Sequence, residues 1–204
     1  DNIEYSFATG DVEGKSSIGG LIGHNSHPSY LVWVKNTYAL GDVRGNKNVG
    51  GLVGKNVKFG ISYSYAAGNV TGKENIGGLV GSYIIETRSL EPNLGNIIYS
   101  YYPEEEPCSK GTAIPREKMK GASAEEHMEE LDFNETWETV EESHNDTDED
   151  GYPILQELDR EKQLKAQFEP PWWEQNWQGL TIASTLLLIL VGVIYWKRRM
   201  DERS

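Results

Sequence analysis

Over the first hundred positions the apolar residues come in short pieces, mostly β-branched, and glycine closes each one. Ile18 runs into Gly19-Gly20, Leu21-Ile22 into Gly23, and the same alternation returns at Val49–Gly54 and Ile76–Gly81. Such pieces predict strands of two to four residues joined by tight turns. No stretch here shows apolar residues at helical spacing over three turns, and the glycine density penalises a helix heavily. The excursion Ser82–Asn96 reads as a loop whose Tyr83, Ile84 and Ile85 continue a strand. Past residue 100 the pattern changes. Pro115–Glu130 and Ile154–Phe168 predict short amphipathic helices, the second leading into the Pro170-Pro171 break.

The glycine pieces are one phrase written three times: Gly19-Gly20-Leu21-Ile22-Gly23, Gly50-Gly51-Leu52-Val53-Gly54 and Gly77-Gly78-Leu79-Val80-Gly81. Each follows an aromatic residue (Phe7, Tyr38, Tyr65) by 12 positions, and the period is 31 and then 27 residues. The unit reads aromatic-Ala-x-Gly-[Asp/Asn]-Val-x-Gly, three variable residues, then [Ile/Val]-Gly-Gly-Leu-[Ile/Val]-Gly. A period in this range signals stacked repeats, because so small a unit cannot bury its apolar side alone. The economical arrangement is a parallel β-solenoid, each coil about 4.8 Å above the last. Val12/Val43/Val70, Ile18/Val49/Ile76 and Leu21/Leu52/Leu79 then stack inside, and Phe7/Tyr38/Tyr65 form an aromatic ladder continued by Tyr101. Glycine serves the corners. The competing reading is a small antiparallel β-sandwich.

The phrase, with its upstream Tyr-Ala-x-Gly-[Asp/Asn]-Val, resembles the GLUG-motif repeats of large microbial surface proteins, including the non-catalytic repeat regions of some immunoglobulin-A-cleaving metallopeptidases. The resemblance continues through Tyr99-Ser100-Tyr101-Tyr102-Pro103, Gly111-Thr112-Ala113, Met119-Lys120, Asp132-Phe133 to Trp137, and Gly151-Tyr152-Pro153-Ile154-Leu155, covering about residues 3–158. It implies a repeat of an extracellular protein. The chain opens at Asp1, a few residues before the first aromatic, and an uncapped first coil leaves strand edges open. The expectation is a C-terminal portion, with further coils and an export signal upstream.

Gln175–Trp196 holds no charged residue, and Leu180–Trp196 is nearly all apolar. That run is long enough to cross a hydrocarbon core as a helix. Trp172, Trp173 and Trp177 precede it, Tyr195 and Trp196 end it, and Lys197-Arg198-Arg199 follow, so the positive-inside rule places the tail to Ser204 in the cytoplasm and the rest outside. A buried helix of a larger complex is the alternative. The expected order is repeats at 1–100, an acidic closing segment at 101–158, a helical Pro-Trp stalk at 159–177, a transmembrane helix at 178–196 and a cytoplasmic tail at 197–204.

The formal charge of −13 is unevenly placed: residues 1–100 carry eight acidic and eight basic side chains, residues 101–161 twenty and five. An acidic collar of this kind repels phosphates and disfavours nucleic acid as a partner. Within it Asp146, Asp148, Asp150, Gly151 and Glu157 fit the calcium-loop pattern D-x-[DN]-x-[DN]-G-x5-E, in which alternate carboxylates turn toward one centre. Pro153 removes a donor the usual loop needs, and a plain acidic linker is the favoured reading of the same residues. Calcium is the one cofactor the sequence suggests. Asn69, Asn134 and Asn145 head glycosylation sequons.

No catalytic residue is indicated. Glu126-His127-Met128-Glu129-Glu130 is not H-E-x-x-H, so the metallopeptidase chemistry of some relatives is absent, and His24 and His27 flank a loop. Asp11, Asp42 and Asn69 share a register, where beside glycine they bond local backbone. Cys108 is alone, a free thiol. The sequence thus predicts a mainly β protein: a short parallel β-solenoid, a small acidic α+β closing segment and one C-terminal transmembrane helix. The expected function is non-catalytic, a single-pass cell-surface protein for adhesion or envelope structure with an extracellular protein or glycan as ligand. The alternatives are a tether for an upstream peptidase-type domain, and a glycan-binding solenoid using Tyr30, Trp33 and Tyr83.

Overall fold

The computed structural model of the protein describes residues 2–26, 32–84, 96–141 and 150–168. The chain divides into two compact units, Asp1–Gln167 and Phe168–Ser204, and of the second only Phe168 is among the described residues.

Three times over, the chain makes one long strand and three short ones. The first set is β1 (Ile3–Ala8), β2 (Val12–Glu13), β3 (Ser16–Gly19) and β4 (Ile22–Ser26). The second is β5 (Trp33–Ala39), β6 (Val43–Arg44), β7 (Lys47–Gly50) and β8 (Val53–Val57). The third is β9 (Gly60–Ala66), β10 (Val70–Thr71), β11 (Glu74–Gly77) and β12 (Val80–Ile84), after which come β13 (Ile97–Pro103) and β14 (Thr112–Ile114). Each strand of a repeat pairs, always in parallel, with its counterpart in the neighbouring repeat. The sheets have the orders β1-β5-β9-β13-β14, β2-β6-β10, β3-β7-β11 and β4-β8-β12. The longer first interval is absorbed between β4 and β5, which are six residues apart where β8 and β9 are two apart.

Like meets like along these sheets. Phe7 stands opposite Tyr38, Tyr38 opposite Tyr65, and Tyr65 opposite Tyr101. Val12, Val43 and Val70 are in register, as are Ile18, Val49 and Ile76. The Leu21 N–H donates to the Leu52 carbonyl at 3.1 Å, and Leu52 N–H to that of Leu79 at 2.9 Å. Leu52 and Leu79 are fully buried with Val34, Val53 and Ile61 in one apolar core, while Val43, Val49 and Val70 form a smaller one. The double glycine has a steric cause. A Cβ on Gly50 would run into the carbonyl oxygen of Val53 and the amide of Gly81, so the chain closes on its own next strand and on the neighbouring repeat at once.

The long strands are not regular. Tyr5, Asn36, Tyr63 and Tyr99, at one register, all take the left-handed conformation, with φ of 47°, 50°, 50° and 49°. This bend turns the strand and takes the next amide out of the ladder. A hydroxyl restores the bond: Thr37 N–H donates to Ser64 Oγ at 3.2 Å, and Ser64 N–H to Ser100 Oγ at 3.3 Å. Ser64 Oγ in turn donates to the Ser62 carbonyl at 2.8 Å. Thr37, Ser64 and Ser100 are all fully buried. A second left-handed row, Ser17, Asn48 and Asn75, is tied by Asn75 Nδ2 donating to Asn48 Oδ1 at 2.9 Å.

The closing segment comprises a 3-10 turn (Arg116–Met119), α1 (Gly121–His127), the antiparallel pair β15 (Trp137–Val140) and β16 (Gly151–Leu155), and α2 (Arg160–Phe168). The stretch before it supplies bonding partners at the edge of the third repeat. Gly78 N–H donates to the Pro107 carbonyl at 2.8 Å, Val70 N–H to Glu106 Oε2 at 2.7 Å, and Val80 N–H to Ser109 Oγ at 2.9 Å. The Arg116 guanidinium holds Glu106 Oε1 at 2.8 Å and also reaches the Ala67 carbonyl. Ile154 and Leu155, expected to open a helix, instead belong to β16, where Leu155 pairs with Trp137.

The expected fold class is corrected by the structure. The described residues form a mainly β arrangement of parallel sheets with two α-helices, in place of the expected β-solenoid with a C-terminal membrane helix. Among the described residues no helix is long and apolar enough to cross a membrane. The longer one, α2, has nine residues, about 14 Å at 1.5 Å each, and is rich in charge. The expected transmembrane helix at 178–196 lies outside the described residues, as do the tail at 197–204 and the rest of the stalk beyond Phe168.

Two substitutions test what fastens the layers. Ser64→Ala orphans the buried Thr37 amide and lowers stability by about 1–3 kcal/mol in urea unfolding, whereas Ser64→Thr retains most of it. Glu106→Ala leaves the Val70 amide and Arg116 without their partner and costs about 2 kcal/mol by the same measurement. An unchanged urea midpoint in either alanine variant refutes the assignment.

Candidate binding surface

Asp11, Asp42 and Asn69 hold one repeat to the next. Asp11 Oδ1 accepts the Asp42 N–H at 2.8 Å, and Asp42 Oδ1 accepts both the Asn69 N–H at 2.9 Å and Asn69 Nδ2 at 2.8 Å. The expectation was local bonding within each turn; the bonds run between layers instead. Asn69 Oδ1 accepts from Arg116 Nη2 at 3.3 Å, so both ends of this sequon amide are engaged in the fold. Asn134 is exposed in the turn after Asp132, and its N–H donates to Asp132 Oδ1 at 3.0 Å. Asn145, Asp146 and Asp148 lie outside the described residues. Of the remaining calcium-loop positions, Asp150 sits with its carboxyl where a Cβ on Gly121 would lie, and Glu157 is exposed. Among the described residues no group of three or more His, Cys, Asp or Glu is placed to hold a metal ion.

The aromatic column faces the closing segment. Phe7 stacks on Tyr38 and Tyr38 on Tyr65 with ring centroids 5.2 and 5.3 Å apart, and the fully buried Trp137 covers Tyr38 and Tyr65 at 6.1 and 5.6 Å. The Tyr38 hydroxyl donates to Gln163 Oε1 at 3.0 Å, and the Tyr65 hydroxyl to the Pro153 carbonyl. Gln163 also bonds the Leu155 backbone in both directions, at 2.9 Å each, so α2, read from sequence as the start of a stalk, is pinned to the tyrosines. Burial pushes both phenols above the ordinary tyrosine range, and for Tyr65 the neighbouring Tyr38 and Tyr152 push the same way. The column is therefore structural.

What remains outward is aromatic on one side and cationic on another. Tyr99 is 40% exposed, its ring 5.1 Å from that of Tyr63, over which Lys35 Nζ lies at 5.6 Å. Trp33 is half-buried against Gly60, and Tyr83 is half-buried against the apolar core; Tyr30 is outside the described residues. Cys108 is exposed. Along the turns that follow β2, β6 and β10 runs an open groove of about 650 Å³. Gly14, Gly45 and Gly72 lie between its two walls. One wall is the row Glu13–Arg44–Thr71, in register, and the other is Lys15–Asn46–Lys73, where Asn46 N–H donates to the Lys15 carbonyl and Lys73 N–H to that of Asn46, both at 3.2 Å.

Residues 45–71 match the family model for the GLUG motif, a span running from Gly45 in the second repeat to Thr71 in the third. The chain thus carries a GLUG motif, and one match covers a full interval of the repeat. No curated protein and no solved structure matches the chain.

Sequence reasoning passed over the hydroxyl row, although Ser6, Thr37, Ser64 and Ser100 each precede the aromatic of their repeat. It also passed over the groove, whose walls use positions the repeat leaves variable.

Above about pH 10 the unfolded tyrosines ionise while Tyr38 and Tyr65 stay protonated, so each lowers stability by up to about 1.4 kcal/mol per pH unit until its own folded pKa is reached. Below pH 10 their contribution is constant. Urea midpoints from pH 8 to 12 for the wild type and Tyr65→Phe should show a shallower alkaline decline in the variant; parallel curves would contradict the assignment.

Proposed function

We propose that the chain is a non-catalytic repeat module of the cell surface, serving in adhesion or envelope structure. The observation that supports this reading is how the polar side chains are used. Asp11, Asp42, Asn69 and the Thr37–Ser64–Ser100 row are spent on fastening one layer to the next. The side chains in register on the outside then form a regular array on a rigid support, which suits recognition of an extended partner. The GLUG motif at 45–71 agrees with this.

Antibody against the repeats should label intact cells of the source organism, and purified chain should be retained by their envelope fraction. Labelling only after lysis, with no retention, rules the reading out.

A further inference from the structure

We infer that the groove beside Gly14, Gly45 and Gly72 is a binding site for a linear acidic oligosaccharide, a chain of uronic acid type. The inference deepens the proposed function by giving that surface a ligand class, and it rests on that reading. Among the described residues three cations, Lys15, Arg44 and Lys73, line the groove against the one carboxylate of Glu13. This is notable in a chain of net charge −13. Arg44 is partly occupied by Asp42 at 3.3 Å, but among the described residues Lys15 and Lys73 are in no ion pair.

The shape selects among anions. Successive rows of the walls rise by about 4.8 Å, the spacing of hydrogen-bonded strands, which is comparable to the advance of one pyranose ring in an extended glycan. A ligand with one carboxylate per sugar can therefore meet Lys15 and Lys73 from different residues, with Asn46, Thr71 and Glu13 available to its hydroxyls. An acidic peptide has no comparable hold. The backbone of the walls is already bonded from layer to layer, Gly14 N–H to Arg44 and Gly45 N–H to Thr71 at 3.0 Å each, so no strand can add there. Single-stranded nucleic acid lacks a stacking surface, for no aromatic residue lines the groove among the described residues.

The test titrates the full chain with hexagalacturonate, with maltohexaose and poly-glutamate as comparison ligands. The expected result is saturable binding of hexagalacturonate that weakens as salt is raised. Lys15→Ala and Lys73→Ala should each reduce affinity roughly tenfold, as for loss of one charge-assisted bond. Lys110→Ala, outside the groove, should leave it unchanged. Both groove lysines are exposed, so thermal melting of the variants should match the wild type and any loss is read at the site. No binding of hexagalacturonate at millimolar concentration, equal binding of maltohexaose or poly-glutamate, or indifference to both lysine substitutions overturns the inference. Envelope retention that survives the Lys15/Lys73 double variant overturns the groove alone and leaves the broader surface role standing.

Discussion

Amide donors of one repeat find their acceptors in the next, and this transfer of hydrogen bonds between layers is the constraint to which the other features answer. A strand two residues long, such as β6, cannot exist alone; it persists because β2 and β10 lie on either side of it in register. The same constraint explains the glycines. Where Gly50 meets Val53 and Gly81, any side chain would force the layers apart and break the bonds that define them.

Departures from regular strand geometry are repaired within the same scheme. Left-handed tyrosines are costly, about 1–3 kcal/mol each as strained backbone, yet Tyr5, Tyr63 and Tyr99 adopt that conformation at one height in their repeats. The hydroxyl at the equivalent position one layer away takes up the displaced amide, so the bend leaves no buried donor open at Thr37 or Ser64. At the far end of the stack Glu106, Pro107 and Ser109 offer side-chain and backbone oxygens where another repeat would offer its ladder. Arg116 secures that cap, and the tyrosine column, through Trp137 and Gln163, fastens the closing segment along the side. Repeats and closing segment are in this sense one cooperative body.

The outer face carries the side chains that the layers do not use. With Asp11, Asp42 and Asn69 engaged between layers, the outward chemistry belongs to Lys15, Arg44 and Lys73 on one side and to Tyr63 and Tyr99 on another. A stack of this kind sets the spacing of such groups and leaves their identity free. Outer groups can therefore change without disturbing the layers beneath.

The glycine phrase, the aromatic twelve residues before it and the constant valine were enough to say which residues share a height, since repetition in sequence becomes repetition along an axis whenever equivalent strands pair. The phrase also pointed to the GLUG motif. Which way a residue faces was another matter. Tyr38 and Ala39 are neighbours in one strand, but Tyr38 packs on Trp137 outside and Ala39 joins the apolar core, and the left-handed Asn36 just before them disturbs the simple alternation a reader would apply. The cap by Glu106 and the docking of α2 by Gln163 were invisible for a related reason: they are single contacts between distant segments, with no pattern to repeat. The groove was hidden because its walls stand at positions the repeat leaves free. Local periodicity is written in the chain because the backbone enforces it at every layer; facing, capping and surface chemistry arise only when segments that share no pattern come to lie side by side.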